Sequence, residues 1–110
     1  MAKRKPDLLH GTLDLLVLRS LSTSPMHGWA ISKHIQATSD DFLEVNQGSL
    51  YPALYRLERR GWIEAEWEVT STGRRAKVYN LTGKGKTHLS LEEDRWTAFS
   101  LAVNRVLGTV

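Results

Sequence analysis

Apolar and polar positions divide the chain into four helical stretches and one stretch of strict alternation. Between Leu8 and Leu21 the apolar residues occupy two faces, with Leu13, Leu16, Val17 and Leu21 on one and Leu8, Leu15 and Leu18 largely on another. A helix that is apolar most of the way round is buried on both sides. One small domain has too little material to cover both faces, so the pattern predicts a second subunit. Ser22-Thr23-Ser24-Pro25 ends this helix, since proline disfavours helix at the residue before it. A second helix is predicted from Met26 to about Gln36, with Trp29, Ala30 and Ile35 toward the core and Lys33 and His34 more exposed. Asp40-Asp41 breaks that pattern.

The stretch opened by Asn46 or Gln47-Gly48-Ser49 is the most informative. Leu50, Leu54 and Leu57 recur at helical spacing, while Tyr51, Tyr55, Arg56 and Arg59 lie away from that stripe. Pro52 is expected in the first turn, where a missing amide hydrogen costs little, and Gly61 stops the helix. Ile63, Ala65, Trp67 and Val69 then alternate with Glu64, Glu66 and Glu68, which predicts a half-buried strand. Thr70 to Gly73 is turn material, with Gly73 able to supply a positive φ, and Ala76 to Leu81 returns. A short basic helix followed at once by a hairpin is the layout of a winged helix-turn-helix, whose recognition helix enters a DNA groove. Three glutamates on one strand repel phosphate unless cations lie across from them. Only the tip, with Arg74, Arg75 and Lys77, is therefore expected on DNA.

Thr82 can cap a last helix reaching about Leu107, some 37 Å at the usual rise per residue. Leu89, Trp96, Phe99, Val103 and Val106 follow a 7-3-4-3 spacing, a heptad-like seam for which a second copy of the chain is the expected cover. The predicted class is mainly α with a β-hairpin wing (α+β). Residues 1–81 would form the winged helix-turn-helix and 82–110 a dimerisation helix, in one compact unit that assembles as a homodimer.

Composition narrows the function. The 110 residues are 41% hydrophobic and 25% charged, as in an ordinary globular domain. A net charge of +3 and a pI of about 9.5 suit a polyanionic partner. There is no cysteine, which excludes disulfides and thiolate metal sites and fits a reducing cytoplasm. The run Leu15 to Leu18 is far too short to span a membrane, and Lys3-Arg4-Lys5-Pro6-Asp7 leads into no apolar run of signal-peptide length. A soluble cytoplasmic protein is expected.

Enzyme chemistry finds little support. Asn80-Leu-Thr-Gly-Lys-Gly-Lys-Thr87 approaches a phosphate-binding loop, but Asn80 replaces its first glycine and no parallel sheet is predicted. His10, His27, His34 and His88 form no recognised metal cluster, and no nucleophile, base and orienter set stands out. His27 opens helix two, where capping, packing or a phosphate contact suits it better. Ser49, at a helix start beside Tyr51, suits groove contact better than catalysis. No enzyme activity, metal or cofactor is expected. Trp96 is read first as interface packing. Alternatively Trp96 and its symmetry mate, with Phe99, wall a cavity for a planar aromatic effector.

Specific motifs give the chain a resemblance. Leu9-His-Gly-Thr-Leu-Asp14, Pro25-Met-His-Gly-Trp29, Gln47-Gly-Ser-Leu-Tyr-Pro-Ala-Leu-Tyr-Arg-Leu-Glu58, Gly61-Trp62, Arg74-Arg75 and Tyr79-Asn-Leu-Thr-Gly-Lys-Gly85 resemble the PadR family of transcriptional regulators, in its short type with one C-terminal helix. The resemblance implies a homodimeric winged-helix protein, usually a repressor, on a pseudo-palindromic double-stranded DNA operator. It implies that the first and last helices build the dimer, and that a small aromatic or cationic compound can release DNA. By position, Ser49, Tyr51, Pro52, Tyr55 and Arg56 would belong to the recognition helix and Arg74, Arg75 and Lys77 to the wing. His27 and Trp29 would sit close to the DNA backbone, Trp29 standing where many relatives have Tyr. The competing reading is a winged helix that docks on a protein and has only nonspecific DNA affinity.

Overall fold

The structure is a computed structural model that describes residues 11–109. Leu8, His10, the basic Lys3–Lys5 segment and Val110 lie outside the described residues. In chain order the elements are α1 (Thr12–Thr23), β1 (Met26–His27), α2 (Gly28–Thr38), α3 (Gln47–Arg59), β2 (Ile63–Val69), β3 (Arg75–Leu81) and α4 (Gly83–Leu107). The strands form one antiparallel sheet in the order β1-β3-β2. Four helices with a small three-stranded sheet make the α+β winged-helix class that the sequence predicts, with the long last helix in place.

α1 ends at Thr23, just ahead of Pro25. Its Ser20 is buried, and the hydroxyl donates to the Leu16 carbonyl at 2.7 Å, so the core carries no orphaned donor there. α2 starts two residues later than predicted, because Met26 and His27 are extended and pair with Tyr79 and Val78. Ile31 and Ile35, four positions apart, set the buried face, and Trp29 lies about 200° round the helix from Ile31. Gly28, Ile31 and Ile35 face the core, whereas Trp29, expected inside, is 54% exposed. Asp40 and Asp41 both adopt left-handed backbone, at φ 53° and 64°, and turn the chain toward α3.

The Asn46 side chain accepts from the Ser49 amide at 2.8 Å and caps α3. With the cap at Asn46, Pro52 lies in the second turn rather than the first. It leaves the Gly48 carbonyl without the usual i+4 donor, but Gly48 and Pro52 are both solvent-facing, so water can serve instead. Gly61, at φ 76°, closes the helix as the Trp62 amide donates to the Leu57 carbonyl.

β2 and β3 pair from Ile63–Leu81 at the base to Val69–Arg75 near the tip. Gly73, at φ 82°, makes the turn. The predicted half-buried face holds only at the base. Ile63 is buried and Ala65 half-buried, but Trp67 and Val69 are 56% and 71% exposed, because the hairpin projects beyond the helices that would cover it.

The core gathers Val17, Leu18 and Leu21 of α1, Ile31 and Ile35 of α2, Leu50, Leu54 and Leu57 of α3, Ile63, Tyr79 and Leu89. Two residues assigned to a subunit interface from the sequence are therefore corrected. Leu18 and Leu89 are buried inside their own chain, since α1 and the root of α4 cross the same core. Thr82 caps α4 by accepting from the Gly85 amide at 2.9 Å, and its hydroxyl donates to the Gly61 carbonyl at 2.7 Å. Beyond Leu89 no residue of α4 is buried.

Candidate nucleic-acid interface

Successive residues of an α-helix turn by 100°, so the buried positions of α3 fix where the others point. Leu50, Ala53, Leu54 and Leu57 face the core. Directly opposite them lie Gly48, Pro52, Tyr55 and Arg59, all exposed. This outward ridge places the Arg59 guanidinium 5.7 Å from the Tyr55 ring centre, a cation–π contact that joins the two.

Other predicted recognition residues fall on the flanks. Ser49 lies exposed at the capped end. Arg56 turns toward α1 and donates from Nη2 to Asp14 Oδ1 at 2.9 Å. Tyr51 turns the other way, against the start of α2. A Cβ on Gly28 would come within 2.8 Å of the Tyr51 hydroxyl, so that glycine makes room for the ring. Behind Tyr51, burial pushes the Tyr79 phenol above its usual range, with further contributions from the Glu58 charge and Tyr51. It therefore stays neutral at physiological pH.

At the amino end of α2, His27 and Trp29 stack with ring centres 5.9 Å apart, and the Lys33 ammonium lies 5.6 Å from the Trp29 ring. His27 Nδ1 lies 3.1 Å from the Lys77 carbonyl oxygen and Nε2 lies 3.3 Å from Glu68. This histidine thus ties α2 to the wing.

The wing has two unlike faces. Across from Glu64, Glu66 and Glu68 stand Asn80, Val78 and Ala76, so no cation neutralises them from the neighbouring strand. Arg75 and Lys77 stand instead across from Val69 and Trp67, on the face that continues the core side of the sheet. Lys77 also reaches Glu58 of α3 at 3.8 Å. Arg74 lies exposed beside the turn. Trp67, like Trp29, is a residue that sequence patterning misplaced. The signal that locates it is the register fixed by the Gly73 turn, which puts a cation opposite it.

Of the clefts beside α1, two reach α4. The wider, about 310 Å³, is lined by Gly11, Thr12 and Leu15 of the α1 end and by Glu92, Arg95, Trp96 and Phe99 of α4. The narrower, about 170 Å³, is lined by residues that include Asp14, Leu15, Arg56, Trp62, His88 and Glu92. His88 stacks on Trp62 at 3.5 Å between ring centres, and Glu92 accepts from Arg95 at 2.8 Å. Leu15 and Glu92 border both clefts. Trp96, Phe99, Val103 and Val106 are exposed along α4. Among the described residues no group of three or more potential ligands could hold a metal ion, and no helix is long and apolar enough to cross a membrane.

The chain is 34% identical to transcriptional regulator Rv3488 of Mycobacterium tuberculosis over 94 residues, 86% of this chain and 81% of that protein. The structure of a transcriptional regulator from Clostridium thermocellum superposes with a TM-score of 0.83 at 26% identity, covering 91% of this chain and 97% of that one. A PadR-like transcriptional regulator from Bacillus cereus gives a TM-score of 0.76 at 30% identity, covering 90% and 94%. The sequence model of the PadR-like transcriptional regulators matches residues 17–91, from the middle of α1 into α4. With its fold and its sequence in agreement, this chain belongs to the PadR-like family of transcriptional regulators.

Proposed function

We propose that the chain is a cytoplasmic, sequence-specific DNA-binding repressor that acts as a homodimer on a pseudo-palindromic operator. The observation that carries this reading is the outward ridge of α3. Pro52, Tyr55 and Arg59 stand exposed there, with Ser49 beside them, on a helix whose opposite side is locked in the core. A major groove about 12 Å wide admits such a helix, and an arginine can read a guanine edge in it. Arg74, Arg75 and Lys77 supply phosphate contacts from the wing, which position the protein and make binding salt-dependent. His27 and Trp29 lie near the backbone on the same reading.

A second copy is supported by the apolar side chains left in water along α4, because contiguous exposed apolar surface marks an interface. Two recognition helices then need a separation of about 34 Å to enter successive grooves. The cleft walled by Leu15, Trp96 and Phe99 supports a small planar aromatic effector. Such a ligand releases DNA only through a difference in its affinity for the two dimer states.

Selection of bound duplexes from a random pool, at two salt concentrations, tests the reading. An enriched inverted repeat with half-sites about one helical turn apart is the expected result. Salt-sensitive binding with no enriched motif would overturn it in favour of a protein-docking module.

A further inference from the structure

Trp67 is the large aromatic side chain that the fold leaves out on the wing. Its strand position belongs to the same face as Ile63, Ala65 and Tyr79, which close the core at the base of the hairpin. Further out, none of the described residues of the body covers that face, and Trp67 is 56% exposed. Its neighbours are cations. The Arg75 guanidinium lies 4.8 Å from the indole centre and the Lys77 ammonium 5.7 Å. Lys77 is held further by the Tyr79 ring at 5.8 Å and by Glu58 of α3. The glutamates of the hairpin all point to the other face, so the Trp67 face is the one a polyanion can approach.

We infer that Trp67 is a positioning residue for DNA, a flat platform that holds Arg75 and Lys77 in place to meet backbone phosphates on the α3 side of the wing. This inference rests on the DNA-binding reading above. The physical advantage is entropic. Arginine and lysine lose rotamer freedom when they bind phosphate, and a cation already resting on an indole has lost much of it beforehand. The ring attracts Arg75 through its face without neutralising it, as Glu58 partly does for Lys77. Arg75 forms no ion pair among the described residues, so its charge stays available for phosphate.

Binding of the selected duplex by fluorescence anisotropy tests this with Trp67→Ala, Trp67→Phe, Arg75→Ala and the Trp67→Ala/Arg75→Ala pair. Trp67→Ala should weaken binding roughly two- to fivefold, the scale of exposed cation–π contacts. It should also flatten the dependence of log affinity on log salt by about one phosphate contact. Trp67→Phe should recover most of the loss, and Trp67→Ala should cost much less once Arg75 is gone. Wild-type affinity and salt slope in Trp67→Ala would overturn the inference. So would an equal loss with and without Arg75, or a thermal destabilisation of Trp67→Ala that accounts for its loss of affinity. If the unsubstituted protein binds no duplex at any salt, the DNA-binding reading itself falls, a result visible before any variant is made.

Discussion

Gly85 sits third in α4, where the helix leaves the sheet and passes over the chain entering β2. A Cβ there would collide with the Trp62 carbonyl and approach Leu81 within 2.7 Å. The Leu81 atom is a terminal methyl that can turn aside, but the Trp62 carbonyl is backbone, so the chain itself must give there. Gly85→Ala should therefore cost about 2 kcal/mol or more, as overpacking in a core does, and lower Tm by roughly 10 °C in a domain of this size. Gly83→Ala is the matched control, because nothing lies within 4 Å of its added methyl and its backbone needs no positive φ. That variant should hold or raise Tm, since alanine restricts the unfolded chain. A calorimetric scan of both separates a close approach from mere helix propensity. The Lys-Gly-Lys stretch that resembles a phosphate loop in one dimension is thus a packing joint in three.

At the scale of elements, the ridge of α3 divides its arginines by task. Arg59 stands on the exposed crest, while Arg56 is drawn aside to Asp14. Arg59→Ala should weaken operator binding by about tenfold or more, within the roughly 1–3 kcal/mol of a base-edge contact, with Tm unchanged. A gel shift alongside a melt checks both halves. How far the sequence foretells these elements follows from what covers them. α3, the hairpin and α4 are written in local signals: the Asn46 cap, glycines at the ends, strict alternation and the Thr82 cap. β1 is not, because two residues carry no period, and only pairing with Tyr79 and Val78 makes them a strand. Missing β1 starts α2 two residues early, and Trp29 is misplaced because Ile31 and Ile35, four positions apart, set the buried face on the other side of the helix. Trp67 fails for a different reason, since alternation states which residues share a face but not whether anything lies over it. The side-chain choices on α3 were only half legible. Periodicity separates core from surface, yet the pull of Asp14 on Arg56 depends on a residue 42 positions away.

For the molecule as a whole, α4 carries its exposed Trp96, Phe99, Val103 and Val106 away from the body. Val103→Asp should abolish self-association while leaving the winged helix folded, because Val103 has no place in the chain's own core. Sedimentation velocity should show a monomer with unchanged far-ultraviolet dichroism. A dimer that survives would put the contact elsewhere.

Among the described residues of one chain, the same helix is fastened at only one end. Gly85 and Leu89 are its buried residues, and Arg19 of α1 adds an ion pair to Glu93 at 3.4 Å. Mechanically this is a cantilever. From Leu89 to Leu107 the free rod is about 27 Å long, so a tilt of about 10° at the root swings its tip by about 5 Å. The wider cleft opens beside that root, with Trp96 and Phe99 on the rod and Leu15 on the block it pivots against. A tilt forced by filling the cleft would thus be geared up along the rod, to a shift of a base-pair step or more at its far end.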